Sequence, residues 1–175
     1  MNKTAVLISC IITLWFSAVP ALAWTGKVVD IREGDVLKVS HPEKGVITMM
    51  LYGIDAPDKK QPFYKQAKEF LTDKVEGQAV NVLEFVTEQK VVTAIIVHDG
   101  VNINEQVLQA GYGWVYKKYC HQDFCSDWLT YEKQARDQKL GLWQDENPTP
   151  PWEWRNKVMT KILRVFWWVL LPWSD

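Results

Sequence analysis

The sequence predicts an α+β domain, mainly β: a small five-stranded barrel with three helices, followed by a C-terminal amphipathic, Trp-rich helix. Three observations lead there. Short runs rich in β-branched residues recur between turn signals in the first hundred residues. Three stretches carry apolar residues at helical spacing. A proline-rich break then separates this body from a tail of different composition, since five of the ten tryptophans (Trp152, Trp154, Trp167, Trp168 and Trp173) follow it.

The chain opens with a segment that reads as a secretory signal over residues 1–23. Lys3 is a positive start, Ala5 to Val19 is almost wholly apolar, and Ala21-Leu22-Ala23 is a small-x-small cleavage site. A spanning helix is the competing reading. The run is short for that, and Pro20 interrupts it. The domain proper is expected over residues 24–146. Val28, Val29 and Ile31, then Val36, Leu37 and Val39, then Val46, Ile47, Met49 and Leu51 form three strands. Glu33-Gly34-Asp35 and His41-Pro42-Glu43-Lys44-Gly45 turn the chain between them.

After a loop to Pro62, Phe63, Ala67, Phe70 and Leu71 predict a helix that Pro62 opens and that runs to about Val75. Two more strands follow, Ala79 to Phe85 and Val91 to His98, then an Asp99-Gly100 turn. Asn102 or Asn104 caps a second helix with Ile103, Val107 and Leu108 on its apolar face, stopped by Gly111. A third helix is expected from about Ser126 to Leu140, with Trp128, Tyr131 and Ala135 on one face. Five antiparallel strands with helices inserted and appended suit an OB-type barrel. The same string of elements also suits a generic α+β domain.

Residues 147–155 read as a Pro/Trp linker, stiffened by Asn147-Pro148-Thr149-Pro150-Pro151. Beyond it, residues 156–175 form the tail. Asn156, Lys157, Thr160, Lys161 and Arg164 give a polar side, and Val158, Met159, Ile162, Leu163 and Phe166 an apolar one. A helix from 157 to 171 would be roughly 22 Å long at about 1.5 Å per residue, short of the hydrocarbon core of about 30 Å. Such a helix suits lying in a membrane interface. Folding back onto the domain or pairing with another copy suits it equally.

Signal cleavage would remove Lys3 and no acid, leaving 19 basic residues against 21 acidic, net −2. Strong polynucleotide binding usually rests on a basic surface, so the charge argues against tight, non-specific binding. Cleavage would also leave Cys120 and Cys125 in Cys-His-Gln-Asp-Phe-Cys. Export puts them in an oxidising compartment, where two nearby thiols pair. A metal site that also used His121 would be one ligand short of structural zinc, so a disulfide is expected.

Four pieces of the chain resemble the staphylococcal nuclease (thermonuclease) family, in its order and spacing. They are Glu33-Gly34-Asp35-Val36; Leu51-Tyr52-Gly53-Ile54-Asp55-Ala56-Pro57-Asp58; Asp99-Gly100 with Asn104-Glu105 and Gly111; and Gly141-Leu142-Trp143 with Pro151-Trp152-Glu153-Trp154-Arg155. The resemblance covers about residues 25–155. It implies the OB-type barrel and Ca2+-dependent phosphodiester hydrolysis. In that chemistry a hard cation takes oxygen ligands, a water is activated, and fixed cations stabilise the transition state.

By position, the resemblance assigns the metal to Asp35, Asp55 and the backbone carbonyl of Ala56, and the general base to Asp58. The family has a glutamate at Asp58, so the carboxylate is drawn back by about 1.5 Å. The two family arginines fall on Met50 and Val91, neither of which can donate to phosphate. Lys90, next to the second position, is the one substitute donor in view. Tyr116, Lys117, Lys118 and Tyr119 lie near the family's substrate-contacting tyrosines and make a candidate stacking and phosphate patch. Equally, Trp114 and Tyr116 suit the core, with the lysines merely exposed.

Three functions follow as expectations. The first is an exported nuclease scaffold, weak or inactive, kept for binding a ligand such as single-stranded nucleic acid in the periplasm or outside the cell. The second is an active Ca2+-dependent endonuclease of DNA or RNA that uses Lys90. The third is an envelope scaffold that acts through its tail on a membrane surface or another protein.

Overall fold

The computed structural model describes residues 23–86 and 92–170. Residues 1–22 of the signal segment, Lys90, Val91 and Trp173 lie outside them. Strands β1 (Ala23–Ile31), β2 (Val36–His41) and β3 (Gly45–Leu51) form a meander. It is paired antiparallel with Val28 opposite Val39 and Leu37 opposite Met49. The two-residue strand β4 (Ile54–Asp55) and helix α1 (Tyr64–Val75) follow. Next come β5 (Ala79–Val86), β6 (Val92–His98), the short β7 (Val101–Asn102) and α2 (Ile103–Gln109). The chain continues through β8 (Trp114–Val115), α3 (Cys125–Asp137), a 3-10 turn at Gly141–Gln144, and α4 (Pro151–Leu170).

The expected five-strand OB-type barrel is present, formed by β1, β2, β3, β5 and β6. One pairing differs from expectation. The barrel closes where β3 runs parallel to β6, with Met50 beside Thr93 and Leu51 beside Ala94, so the sheet is mixed rather than antiparallel. Closure removes the free edges that an open five-strand sheet would leave. Period-two alternation sends Val28, Leu37, Val39, Met49, Leu51, Val82 and Ile96 inward, each 0–1% exposed. Leu71 and Val75 of α1, Val107 and Leu108 of α2, and Trp128 of α3 extend that core over the barrel.

Helix limits shift for local reasons. Helix α1 begins at Tyr64 rather than Pro62, because Phe63 stands in the left-handed region at φ 64°. Helix α3 ends at Asp137, with Lys139 at φ 54° turning the chain away before Leu140. Helix α4 begins at Pro151, inside the segment read as linker. Proline needs no N–H partner in a first turn, and the carbonyl of Pro150 accepts from Glu153 and Trp154.

The two candidate caps of α2 divide their work. Asn102 is the cap, its side chain accepting from the N–H groups of Asn104 and Glu105. Asn104 is fully buried instead. It accepts from Ile96 N–H at 3.0 Å and donates to the carbonyls of Tyr52 (3.2 Å) and Ala94 (3.1 Å). It thereby ties β6 to the turn that leads into β4.

A second, smaller cluster lies beside the barrel, where Trp114, Ala135, Leu142 and Trp143 pack together with Phe63 and Trp152 against them. It seats the chain after α3 and fixes where α4 starts. Among the described residues no helix is long and apolar enough to cross a membrane.

Candidate functional site

The site is built around the β3–β4 turn. Gly53, at φ 66°, makes the sharp bend, and a Cβ there would lie 2.7 Å from Cys120 Sγ. Cys120 and Cys125 form the expected disulfide, their Cα atoms 5.8 Å apart. The loop it closes rests on the turn, since His121 N–H donates to the Tyr52 hydroxyl, and just before it Tyr116 N–H donates to the carbonyl of Gly53. Pairing of Ile54 with Val115 and of Asp55 with Trp114 then fixes the direction of the Asp55 side chain.

Asp35 arrives from the β1–β2 turn. Gly34 before it has no room for a Cβ, which would fall 2.8 Å from Ala67 Cβ and 3.0 Å from Ala56 Cβ. That close approach lets Asp35 Oδ2 accept from Ala56 N–H at 3.1 Å, while Leu51 N–H donates to the Asp35 carbonyl. Asp35 and Asp55 are each only 4% exposed. Burial drives the Asp35 carboxyl up to about 8, with the charges of Asp55 and Glu33 adding to the rise and the Ala56 N–H opposing it.

The structure therefore brings Asp35, Asp55, Ala56 and Asp58 into one cluster. It adds a residue to which sequence reasoning gave no role. Arg155 of α4 donates from Nη2 to Asp55 Oδ2 at 2.7 Å and from Nη1 to Asp55 Oδ1 at 3.1 Å. Nη1 also reaches both oxygens of Asp58, at 3.2 and 3.1 Å. Burial pushes the Asp55 carboxyl up, and the hydrogen bonds and charge of Arg155 pull it back. The guanidinium is correspondingly held more firmly in its charged form.

Two further contacts dock the start of α4 here. Gln61 accepts from Asp58 N–H and donates to the Thr149 carbonyl at 2.6 Å. Trp152 lies parallel to Tyr116, ring centroids 5.1 Å apart and planes at 3°. The sequence signal for this docking was an arginine directly after Pro150-Pro151-Trp152-Glu153-Trp154, an unusual setting for a freely solvated side chain.

Of the remaining candidates, Met50 is half-buried in β3 and offers no donor. Lys90 and Val91 lie outside the described residues. Tyr116 is half-buried under Trp152 and meets Tyr119 edge-on at 4.9 Å. Lys117, Lys118 and Tyr119 are exposed, with Lys118 Nζ 5.3 Å from the Tyr119 ring centre. Trp114 is buried, as the core reading had it. Tyr116, Lys117 and Lys118 also line an open depression of about 1090 Å³, together with Arg136, Trp143 and Trp152.

The oxygens of Asp35, Asp55 and Ala56 are a hard-donor set that suits Ca2+ in kind. Two desolvated carboxyls, with the charge of Asp55 adding to the rise at Asp35, are groups a divalent cation would relieve. Among the described residues, no cluster of three or more His, Cys, Asp or Glu side chains is arranged to hold a metal. The cation that Asp55 engages here is Arg155.

The comparisons with known proteins agree with this architecture. A family model described as staphylococcal nuclease homologue matches residues 48–145. The chain is 34% identical over 134 residues to an uncharacterised endonuclease of Escherichia coli, covering 75% of this chain and 85% of that protein. It is 36% identical over 149 residues to a micrococcal nuclease of Shigella flexneri, covering 79% and 84%. A further uncharacterised endonuclease, from Haemophilus influenzae, is 32% identical over 134 residues, covering 76% and 74%. Nucleases of this kind depend on Ca2+ in general, and a nuclease family implies contact with nucleic acid. With its closed barrel and its Asp35–Asp55 cluster, the chain belongs to the staphylococcal nuclease family.

Proposed function

We propose that this chain is an exported, nucleic-acid-binding member of its family in which Ca2+-dependent phosphodiester hydrolysis is weak or absent. The observation that carries this reading is the double engagement of Arg155. The carboxylate expected to hold the cation and the carboxylate expected to accept a proton from water share one guanidinium. Both oxygens of Asp58 are taken up by that guanidinium rather than turned to a water, and Asp58 is already a methylene short. Met50 supplies no hydrogen bond to a transition-state phosphate, and losing one such donor costs about 10²–10³ in rate.

Ca2+ bound by Asp35, Asp55 and the Ala56 carbonyl would polarise a phosphate oxygen and acidify a water. The chain's own residues supply the binding surface. Exposed Tyr119, braced by Tyr116, offers its ring to a base of a single strand, and Lys117 and Lys118 offer mobile charge to its phosphates. The negative overall balance keeps that affinity modest and sensitive to salt.

The test is a nuclease assay on residues 24–175 with single-stranded DNA and RNA, in Ca2+ and in chelator. The Met50→Arg/Val91→Arg/Asp58→Glu variant is assayed alongside. A silent wild type beside a variant that cuts in Ca2+ supports the reading. Ca2+-dependent cutting by the wild type overturns it in favour of an active endonuclease, with Lys90 the first residue to replace.

A second reading rests on α4, where Val158 and Met159 are exposed apolar side chains, at 41% and 57%. On this reading the tail holds the barrel at a membrane surface or against another protein. Deleting residues 156–175 and fractionating cells tests it, because a fraction that does not change sinks the idea.

A further inference from the structure

We infer that Arg155 is a phosphate-binding residue, held along one edge by Asp55 and Asp58 and presenting its other edge to a phosphate group of the nucleic acid, without a divalent metal. The inference rests on the reading above that this site binds nucleic acid, and it deepens that reading by naming the group that meets the phosphate.

A guanidinium carries five N–H donors in a rigid plane. Three are accounted for. Nη2 and Nη1 each give one to Asp55, and the second hydrogen of Nη1 is shared between the oxygens of Asp58. Among the described residues, no protein acceptor meets Nε–H or the remaining Nη2–H. These two project side by side from one edge of the plane, and that fork matches two oxygens of a phosphate.

The Arg155 side chain is 44% exposed although Asp55 beneath it is 6% exposed, so solvent reaches the residue that carries the fork. The contacts that hold it also pre-organise it. A free arginine loses much of its rotamer freedom when it captures a ligand, whereas one already fixed by two carboxylates loses little.

The surroundings suit a nucleotide. Trp152, three residues before Arg155 on α4, lies flat on Tyr116, and Tyr119, which meets Tyr116 edge-on, is the exposed ring of this group that a base could meet. Exposed Lys117 and Lys118 follow Tyr116 directly. One effect opposes binding: a single guanidinium faces two carboxylates, so the cluster has no positive excess. The lysines offset this, and with only three cations involved the expected affinity is modest and its salt dependence shallow. Met50 is apolar where the resemblance expects an arginine on the barrel. Arg155 returns a phosphate donor to the same aspartates from the C-terminal helix.

The experiment uses the purified chain with α4 intact, a fluorescein-labelled single-stranded oligothymidylate, and chelator throughout. Anisotropy is compared for wild type, Arg155→Ala and Arg155→Lys. Inorganic phosphate is titrated into 15N-labelled wild type while the Arg155 Nε–H resonance is followed. The expected result is binding in chelator that weakens at least ten-fold in Arg155→Ala. Arg155→Lys keeps its charge against Asp55 and the wild-type melting temperature but recovers only part of the binding. The Nε–H resonance shifts on adding phosphate.

Binding within two-fold of wild type in both variants, each folded by circular dichroism, overturns the assignment and leaves the binding reading standing. Binding that appears only when Ca2+ replaces chelator also overturns it. A wild type that cuts in Ca2+ yet loses its chelator-phase binding in Arg155→Ala refutes weak catalysis and keeps Arg155. No binding under any condition removes both.

Discussion

Arg155 donates from Nη2 to Asp55 Oδ2 at 2.7 Å, joining two residues 100 positions apart in the chain. The contact makes the C-terminal helix part of the site rather than an appendage. It also sets a competition, since any cation that takes Asp55 must displace or share this guanidinium. Trp152 on Tyr116 and Gln61 on Thr149 hold the same turn in place from either side.

Removing that guanidinium leaves Asp55 desolvated beside Asp35 and Asp58 with no counter-charge. Because Arg155 is half exposed, the loss in Arg155→Ala is expected at about 1–2 kcal/mol rather than the larger figure for a fully buried pair. Ca2+ should then raise the melting temperature of Arg155→Ala more than that of wild type, because Asp55 is free to accept it. Differential scanning fluorimetry with and without Ca2+ reads both effects, and equal Ca2+ shifts would refute the competition.

Asp35 makes stability depend on pH. Its folded value is raised by burial to about 8 from an ordinary 3.8, so between those values the folded state holds a proton that the unfolded state has released. The stabilising contribution is complete below about pH 3.8 and is lost as pH rises through 8. In chelator, Asp35→Asn mimics the neutral acid and still accepts from Ala56 N–H. It should flatten this slope and melt higher than wild type at pH 8.5. A variant that melts lower there would show that Asp35 is held as a carboxylate.

Asn104 is expected to matter for stability more than for chemistry. Asn104→Ala leaves Ile96 N–H and the carbonyls of Tyr52 and Ala94 without their buried partner. A loss of about 3 kcal/mol follows from unsatisfied buried groups. Urea denaturation measures it, and a loss under 1 kcal/mol would mean that water enters and replaces the amide.

The disulfide closes a short loop, so its contribution to the unfolded chain is modest, about 2 kcal/mol by loop-closure entropy. Cys120→Ser/Cys125→Ser should lower stability by that amount. It should also loosen Tyr52 and Gly53, which the loop braces. Hydrogen exchange at Ile54 and Tyr116 is the check. Unchanged protection there would separate the disulfide from the site.

Much of this was legible in the sequence because it is encoded locally. Alternation in Val36–Val39, helical spacing from Ala67 to Leu71, and the Asp99-Gly100 turn each need only a few adjacent residues to specify. The spacing of Asp35, Asp55 and Asp58 against the family pattern was readable for the same reason, and so was the apolar replacement at Met50. The pairing of Cys120 with Cys125 needed only five residues of separation and an oxidising compartment.

What the tertiary structure alone decided is non-local. The parallel pairing of Met50 and Leu51 with Thr93 and Ala94 depends on how far the whole sheet coils before its ends meet, and no single strand records that. Asn102 and Asn104 look alike as caps in sequence. They separate only once β6 and Tyr52 surround one of them. The partner of Arg155 is set by where the Trp114–Trp143 cluster seats the start of α4 against a barrel folded from residues far earlier in the chain. An ion pair between distant segments leaves no periodicity in either, so its geometry exists only in the folded molecule.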